Sequence, residues 1–147
     1  MSAEENKAIV RRLYDEVWNA GNVEVIDEVL SRDFTDHNPN PGIPPTSDGF
    51  RQTVQVYRSA FPDVHFTVDL MTSDGDIVVT RWTAEGTHKA DLGEMRATGK
   101  HARVTGIDIN RIVDGKATEH WGSWDQMALL QQLGAIPTDG QTQQVGA

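Results

Sequence analysis

The chain has 147 residues, 13 Lys and Arg against 22 Asp and Glu, a net charge of -9 and no cysteine. That length supplies one domain with a hydrophobic core. The lack of a basic run argues against nucleic acid or an anionic membrane as partner, and the lack of cysteine excludes disulfides, thiolate catalysis and zinc–thiolate sites.

Cysteine-free composition fits a cytoplasmic protein. The opening MSAEENKAIVRRLYDEVW has no apolar signal-peptide region, and no apolar run reaches membrane-spanning length. Ser2 and Glu5 have capping-box spacing. Ile9, Val10, Leu13, Tyr14, Val17 and Trp18 then recur at helical spacing, with Gly21 as terminator. A short second helix is expected over 23–30. The run from Asp36 to Pro45 contains Pro39, Pro41, Pro44 and Pro45, so it forms an ordered irregular loop, placed to act as a lid. Ser47 or Asp48 caps a third helix with the stripe Phe50, Val54, Tyr57 and Phe61, ended by Pro62.

From there the apolar period becomes two. Strands are expected over 65–72 and 77–87, a loop with Gly93 over 89–98, and a final hairpin of 100–112 and 116–124 around Asp114-Gly115. A helix over 125–133 ends at Gly134, with Pro137 beyond. The domain is expected to occupy 1–137, and the Gln- and Gly-rich stretch 138–147 to be a disordered tail. Helices followed by long strands define an α+β fold. A twisted antiparallel sheet can curl around the helices and leave a conical cavity. Asp108 and Asn110 alternate with Ile107 and Ile109, so the polar face is expected to line the cavity and the apolar face to meet a second subunit, as a homodimer or larger homo-oligomer.

The hairpin carries most of the chemistry. Asp108, Glu119, His120 and Asp125 lie among Trp121, Trp124 and Ile residues, a mixture that suits a small-molecule pocket. A two-residue turn puts Asp108 opposite Trp121 and Asn110 opposite Glu119. A three-residue turn with a Gly115 bulge puts Asp108 opposite His120, Gly106 opposite Gly122 and Asn110 opposite Thr118. Asp-Gly suits both. In the second register Asp108 and His120 form a dyad able to move a proton near neutral pH; the bland alternative is a satisfied buried ion pair. Tyr14 and Trp18 are core residues or cavity walls, and Trp124 shares the His120 face as an apolar wall. His37 either reaches over the cavity mouth or packs the loop. His88 ends a strand, at the surface or pointing into the cavity. Glu119 and Trp121 face outward, and Asp125 caps the last helix. There is no phosphate loop, nucleophile elbow or H-E-x-x-H, and the histidines lack metal-ligand spacing, so no metal site is indicated.

These segments are similar to a known family. Arg111-Ile112-Val113-Asp114-Gly115-Lys116, Glu119-His120-Trp121, Leu130 to Gly134, Asp36-His37-Asn38-Pro39 and Gly86-Thr87-His88 resemble the SnoaL-like polyketide (ester) cyclases of the nuclear transport factor 2-like superfamily. The resemblance implies an α+β cone with an internal pocket, oligomerisation through the sheet, and cofactor-independent intramolecular aldol chemistry with an aspartate as acid/base. That aspartate falls at Gly122 here, and a pocket histidine falls at Asp108. The same correspondence pairs Gly106 with Gly122 and so favours the bulged turn. It implies Asp and His roles that are retained but exchanged, with Asp108 as base and His120 tuning it. Three readings follow: an acid/base enzyme (cyclase, isomerase, dehydratase or hydrolase) on a hydrophobic carbonyl compound, a non-catalytic binder of a small hydrophobic molecule, and a structural protein with a filled cavity.

Overall fold

Helix α1 (Ala3–Arg12) begins at the expected capping box, in which the Glu5 amide donates to the Ser2 side chain while the Glu5 carboxylate accepts from the Ser2 amide. The computed structural model describes residues 2–137, so the expected tail lies outside the described residues. Beyond Arg12 the helix widens into a π-helical segment, Leu13–Asn19, which carries both Tyr14 and Trp18. Single π turns recur at functional sites because they re-aim side chains that an α-helix would stack in line. Gly21 follows with φ of 75°.

Helix α2 (Val25–Val29) runs directly into β1 (Leu30–Asp36), then the proline loop, then α3 (Ser47–Ala60), capped by Thr46. The remaining elements are β2 (His65–Asp74), β3 (Ile77–Thr87), β4 (His101–Val113), β5 (Lys116–Trp124) and α4 (Gln126–Gln132). Asp125 caps α4 by accepting from the Ala128 amide at 3.0 Å. The five strands form one curved sheet in the order β1-β5-β4-β3-β2. Only β1 pairs in parallel, against β5. The residues of β1 carry no period-two apolar pattern, so the strand is not evident from sequence.

The hairpin register differs from both expectations. The turn is the two-residue one, with Val113 opposite Lys116 and with Asp114 and Gly115 both at positive φ (51° and 79°), the handedness that suits twisted strands. A bulge at Thr118 then adds one residue to β5. Asn110 therefore faces His120, Asp108 faces Gly122, and Gly106 faces Trp124.

The helices lie in the concavity of the sheet. Val10, Val17, Ile26, Val54 and Val78 are fully buried there. A second cluster of Ala60, Phe61, Ala102, Leu129 and Leu133 closes the far end between α3, β4 and α4. Gly106 is required by this packing: a Cβ there would stand 2.3 Å from the Trp82 indole and 2.8 Å from Trp124 Cβ. Its space is filled by tryptophan rather than left open for a ligand. Gly106→Ala is expected to destabilise the fold by about 1–3 kcal/mol through overpacking, read as a lower urea midpoint at unchanged slope.

Candidate active site

Strand alternation places Asp108 and His120 on the concave face. They are not directly opposite, because the bulge moves Gly122 into that place. They meet on the diagonal, and the missing side chain of Gly122 makes room for the contact. His120 Nε2 lies 2.9 Å from Asp108 Oδ1, while a Cβ at Gly122 would stand 2.7 Å from the His120 ring and 3.0 Å from Asp108 Oδ1.

Two further residues complete the arrangement. His120 Nδ1 lies 3.0 Å from Asp36 Oδ1, and the Tyr14 hydroxyl donates to Asp108 Oδ2 at 2.6 Å. The result is a continuous chain, Asp36–His120–Asp108–Tyr14, drawn from β1, β5, β4 and the π-helical segment. The proline loop pins its outer end. The His37 amide donates to the His120 carbonyl at 2.8 Å, the Asn38 amide to Asp36 Oδ1 at 3.0 Å, and the Gly122 amide to Asn38 Oδ1 at 3.1 Å.

The electrostatics follow from this geometry. Burial disfavours the charged imidazole, but hydrogen bonds and charge from Asp108 and Asp36 outweigh it and raise His120 to about 9. At neutral pH the ring is therefore an imidazolium that donates from both nitrogens. Burial likewise opposes ionisation of Asp36, yet the bond and charge of His120 hold its carboxyl below the usual range. Tyr14 is raised well above its ordinary value by burial first and by the Asp108 charge second, so it stays a neutral donor. Gly122→Ala is expected to push the ring off Asp108 and bring His120 down from about 9 toward 6.5, followed by NMR titration of its ring protons.

Asp108, His120 and Asp36 stand at the wall of a cavity of about 170 Å³. Trp18, Phe50, Tyr57, Phe61, Phe66, Trp82 and Trp124 supply its apolar surface, and Asn38 and Asn40 of the proline loop supply polar groups. The cavity is open, which overturns the filled-core reading.

Of the other side chains singled out from sequence, Trp18 and Trp124 line this cavity. Tyr14 instead holds Asp108, and Asn110 faces a separate small void. His37 does not reach over the mouth: its ring stacks on Trp121 at 4.8 Å and pairs with Glu119 at 3.1 Å, on the outward side of β5. His88 is neither at the surface nor on the cavity wall. It is fully buried, stacked on Phe61, with Nδ1 accepting from the Thr98 amide at 3.2 Å. That bond, with the Gly99 amide on the His88 carbonyl at 2.8 Å, ties down the loop between β3 and β4. Asp36 was missed as a site residue. The available signal was its place in the Asp36-His37-Asn38-Pro39 motif, but its approach to His120 depends on the unanticipated β1. Among the described residues no cluster of His, Asp and Glu has metal-binding geometry, and no helix is long and apolar enough to cross a membrane.

A curved sheet wrapped on helices around such a cavity defines an α+β cone of the nuclear transport factor 2-like type. The chain belongs to the SnoaL-like polyketide cyclase family, whose family model matches residues 8–133. Aklanonic acid methyl ester cyclase DauD of Streptomyces sp. (strain C5) is 29% identical over 132 residues, covering 86% of this chain and 80% of that protein. Aklanonic acid methyl ester cyclase DnrD of Streptomyces peucetius is 28% identical over 132 residues, covering 86% and 88%. The structure of TsrD from Streptomyces laurentii superposes with a TM-score of 0.83 at 26% identity, covering 92% of this chain and 99% of that one.

Proposed function

We propose that this chain is a cofactor-independent acid/base enzyme that closes a ring in a hydrophobic carbonyl compound, with Asp108 as the proton-transferring residue. The observation that carries the reading is the Asp36–His120–Asp108–Tyr14 chain at the wall of an apolar cavity. The two aklanonic acid methyl ester cyclases support a carboxylic acid methyl ester as the substrate class.

Asp108 takes a proton from the carbon next to a substrate carbonyl. The resulting enolate carbon bonds to a second carbonyl carbon, whose π pair moves to oxygen. That alkoxide takes the proton back from Asp108, so the enzyme ends as it began. His120 already carries its proton and donates toward Asp108, so it does not compete as a base; its positive charge stabilises the enolate and alkoxide. The geometry around Gly122 supports the exchange of roles implied by the family resemblance. By that resemblance the cyclase aspartate falls at Gly122, and the Asp108 carboxylate lies 3.0 Å from where a Cβ at 122 would stand. It fills the space into which a side chain at 122 would project.

The test is incubation with aklanonic acid methyl ester, and with acetophenone in D2O as a general probe of proton abstraction from carbon. Cyclised product, or deuterium in the acetophenone methyl group above the protein-free rate, is expected. Binding of both compounds with neither reaction would instead identify a non-catalytic ligand carrier. The reading extends to self-association through the convex sheet face, where Leu70 is 58% and Ile107 49% exposed. A native mass showing only monomer would remove that part. The cysteine-free composition supports a cytoplasmic setting.

A further inference from the structure

Asn110 is buried to 3% exposure, yet it does not line the main cavity. It sits directly opposite His120 and one alternation along β4 from Asp108. Its amide borders a second void of about 30 Å³, shared with Tyr14, Asp108 and His120 and otherwise walled by Leu13, Leu30 and Phe34. Trp18 and Phe50, edge to face at 6.2 Å, border both spaces. Asp108 and His120 are thus reached from two sides, by a large apolar cavity and by a small void whose mostly apolar wall is interrupted by a few polar groups.

The void is matched to water by size and by chemistry. One water requires roughly 10–15 Å³ and two to four polar partners. The void offers about 30 Å³, the Asp108 carboxylate and the Asn110 carboxamide with two donors and an acceptor. A buried amide needs partners, and among the described residues the groups around the void are mostly apolar. Dry cavities are lined by apolar groups alone; this one is not.

We propose that this void is a water site anchored by Asn110, and that its water exchanges protons with Asp108 behind the substrate. After Asp108 has taken a proton from carbon, the water accepts that proton and returns one of its own in the same exchange. No charge is left behind, and the proton abstracted from carbon mixes with solvent. The water site stands on geometry alone; the exchange step rests on the assignment of Asp108 as base.

Two measurements on the full chain test this. In isotope-labelled protein, the Asn110 side-chain amide protons are expected to show cross-relaxation with a long-lived water. Its absence at assigned amide resonances would overturn the proposal. In D2O, Asn110→Leu is expected to lower deuterium incorporation into acetophenone by about tenfold at unchanged acetophenone affinity, while Asn110→Ser, which keeps a hydroxyl for the water, recovers most of it. If Asn110→Leu exchanges at the wild-type rate while Asp108→Asn does not, the exchange step falls and the function stands. If Asp108→Asn exchanges at the wild-type rate, the assignment of the base falls first. Should Asn110→Leu fail to fold, the wild-type cross-relaxation and Asn110→Ser decide.

Discussion

Asp108→Asn is expected to lower deuterium incorporation into acetophenone, and any ring closure, by about 10²–10⁴-fold. The substitution is isosteric but removes the carboxylate assigned as the proton acceptor. His120 does not replace it at neutral pH, because its Nδ1 stays 3.0 Å from the Asp36 carboxylate, which continues to favour the protonated ring. The fold should survive. The asparagine oxygen can accept from His120 while its amide donates to Tyr14, whose hydroxyl rotates from donor to acceptor. The remaining loss is a charge-assisted bond at each end, about 1–3 kcal/mol. Chemical denaturation beside the exchange assay separates the two effects: a large rate loss in a protein still cooperatively folded is the expected result.

The second large effect is on stability as a function of pH. The His120 value rises from 6.5 to about 9 in the folded chain. A raised folded value means that the stabilisation is fully present below 6.5 and is lost as pH climbs through about 9. Asp36 has the opposite sign: its lowered folded value gives stabilisation that is present above 3.8 and lost at lower pH. Both contributions describe the same ion pair from its two ends. The His120 part amounts to about 3 kcal/mol at most between pH 6 and pH 10. His120→Gln should therefore be less stable than the wild type at pH 6 and nearly equal to it at pH 10. Denaturant unfolding at the two pH values, compared between the two proteins, isolates the contribution from other groups that titrate in alkali.

Where a residue's partner follows from local periodicity, the sequence was readable. The helical stripe from Ile9 to Trp18 and the period-two strands announce their elements, because burial of one face fixes the spacing. The Ser2–Glu5 capping box is a contact within a single helical turn. Strand β1 was hidden because only Leu30 and Phe34 of its seven residues are buried, and an irregularity between Leu30 and Thr35 breaks the alternation. Losing β1 concealed Asp36. The hairpin register failed for a related reason. Asp114-Gly115 does specify the turn, but the Thr118 bulge carries no residue signature and shifts every later pair by one. Asp108 and His120 still meet, since both face the concave side and their side chains span a diagonal that Gly122 leaves open. His37 and His88 show the limit of reading isolated histidines, whose roles were set by Trp121, Glu119, Thr98 and Phe61, all distant in sequence.

In the proposed mechanism His120 is an imidazolium clamped between two carboxylates, leaving Asp108 as the base. A nitrogen-detected NMR titration of the His120 ring tests it most directly. Both nitrogens protonated at pH 7, with a midpoint near the expected value of about 9 that falls in Asp36→Asn and in Asp108→Asn, is the expected result. A neutral ring at pH 7, titrating at or below 6.5, would contradict the account and make His120, not Asp108, the candidate base.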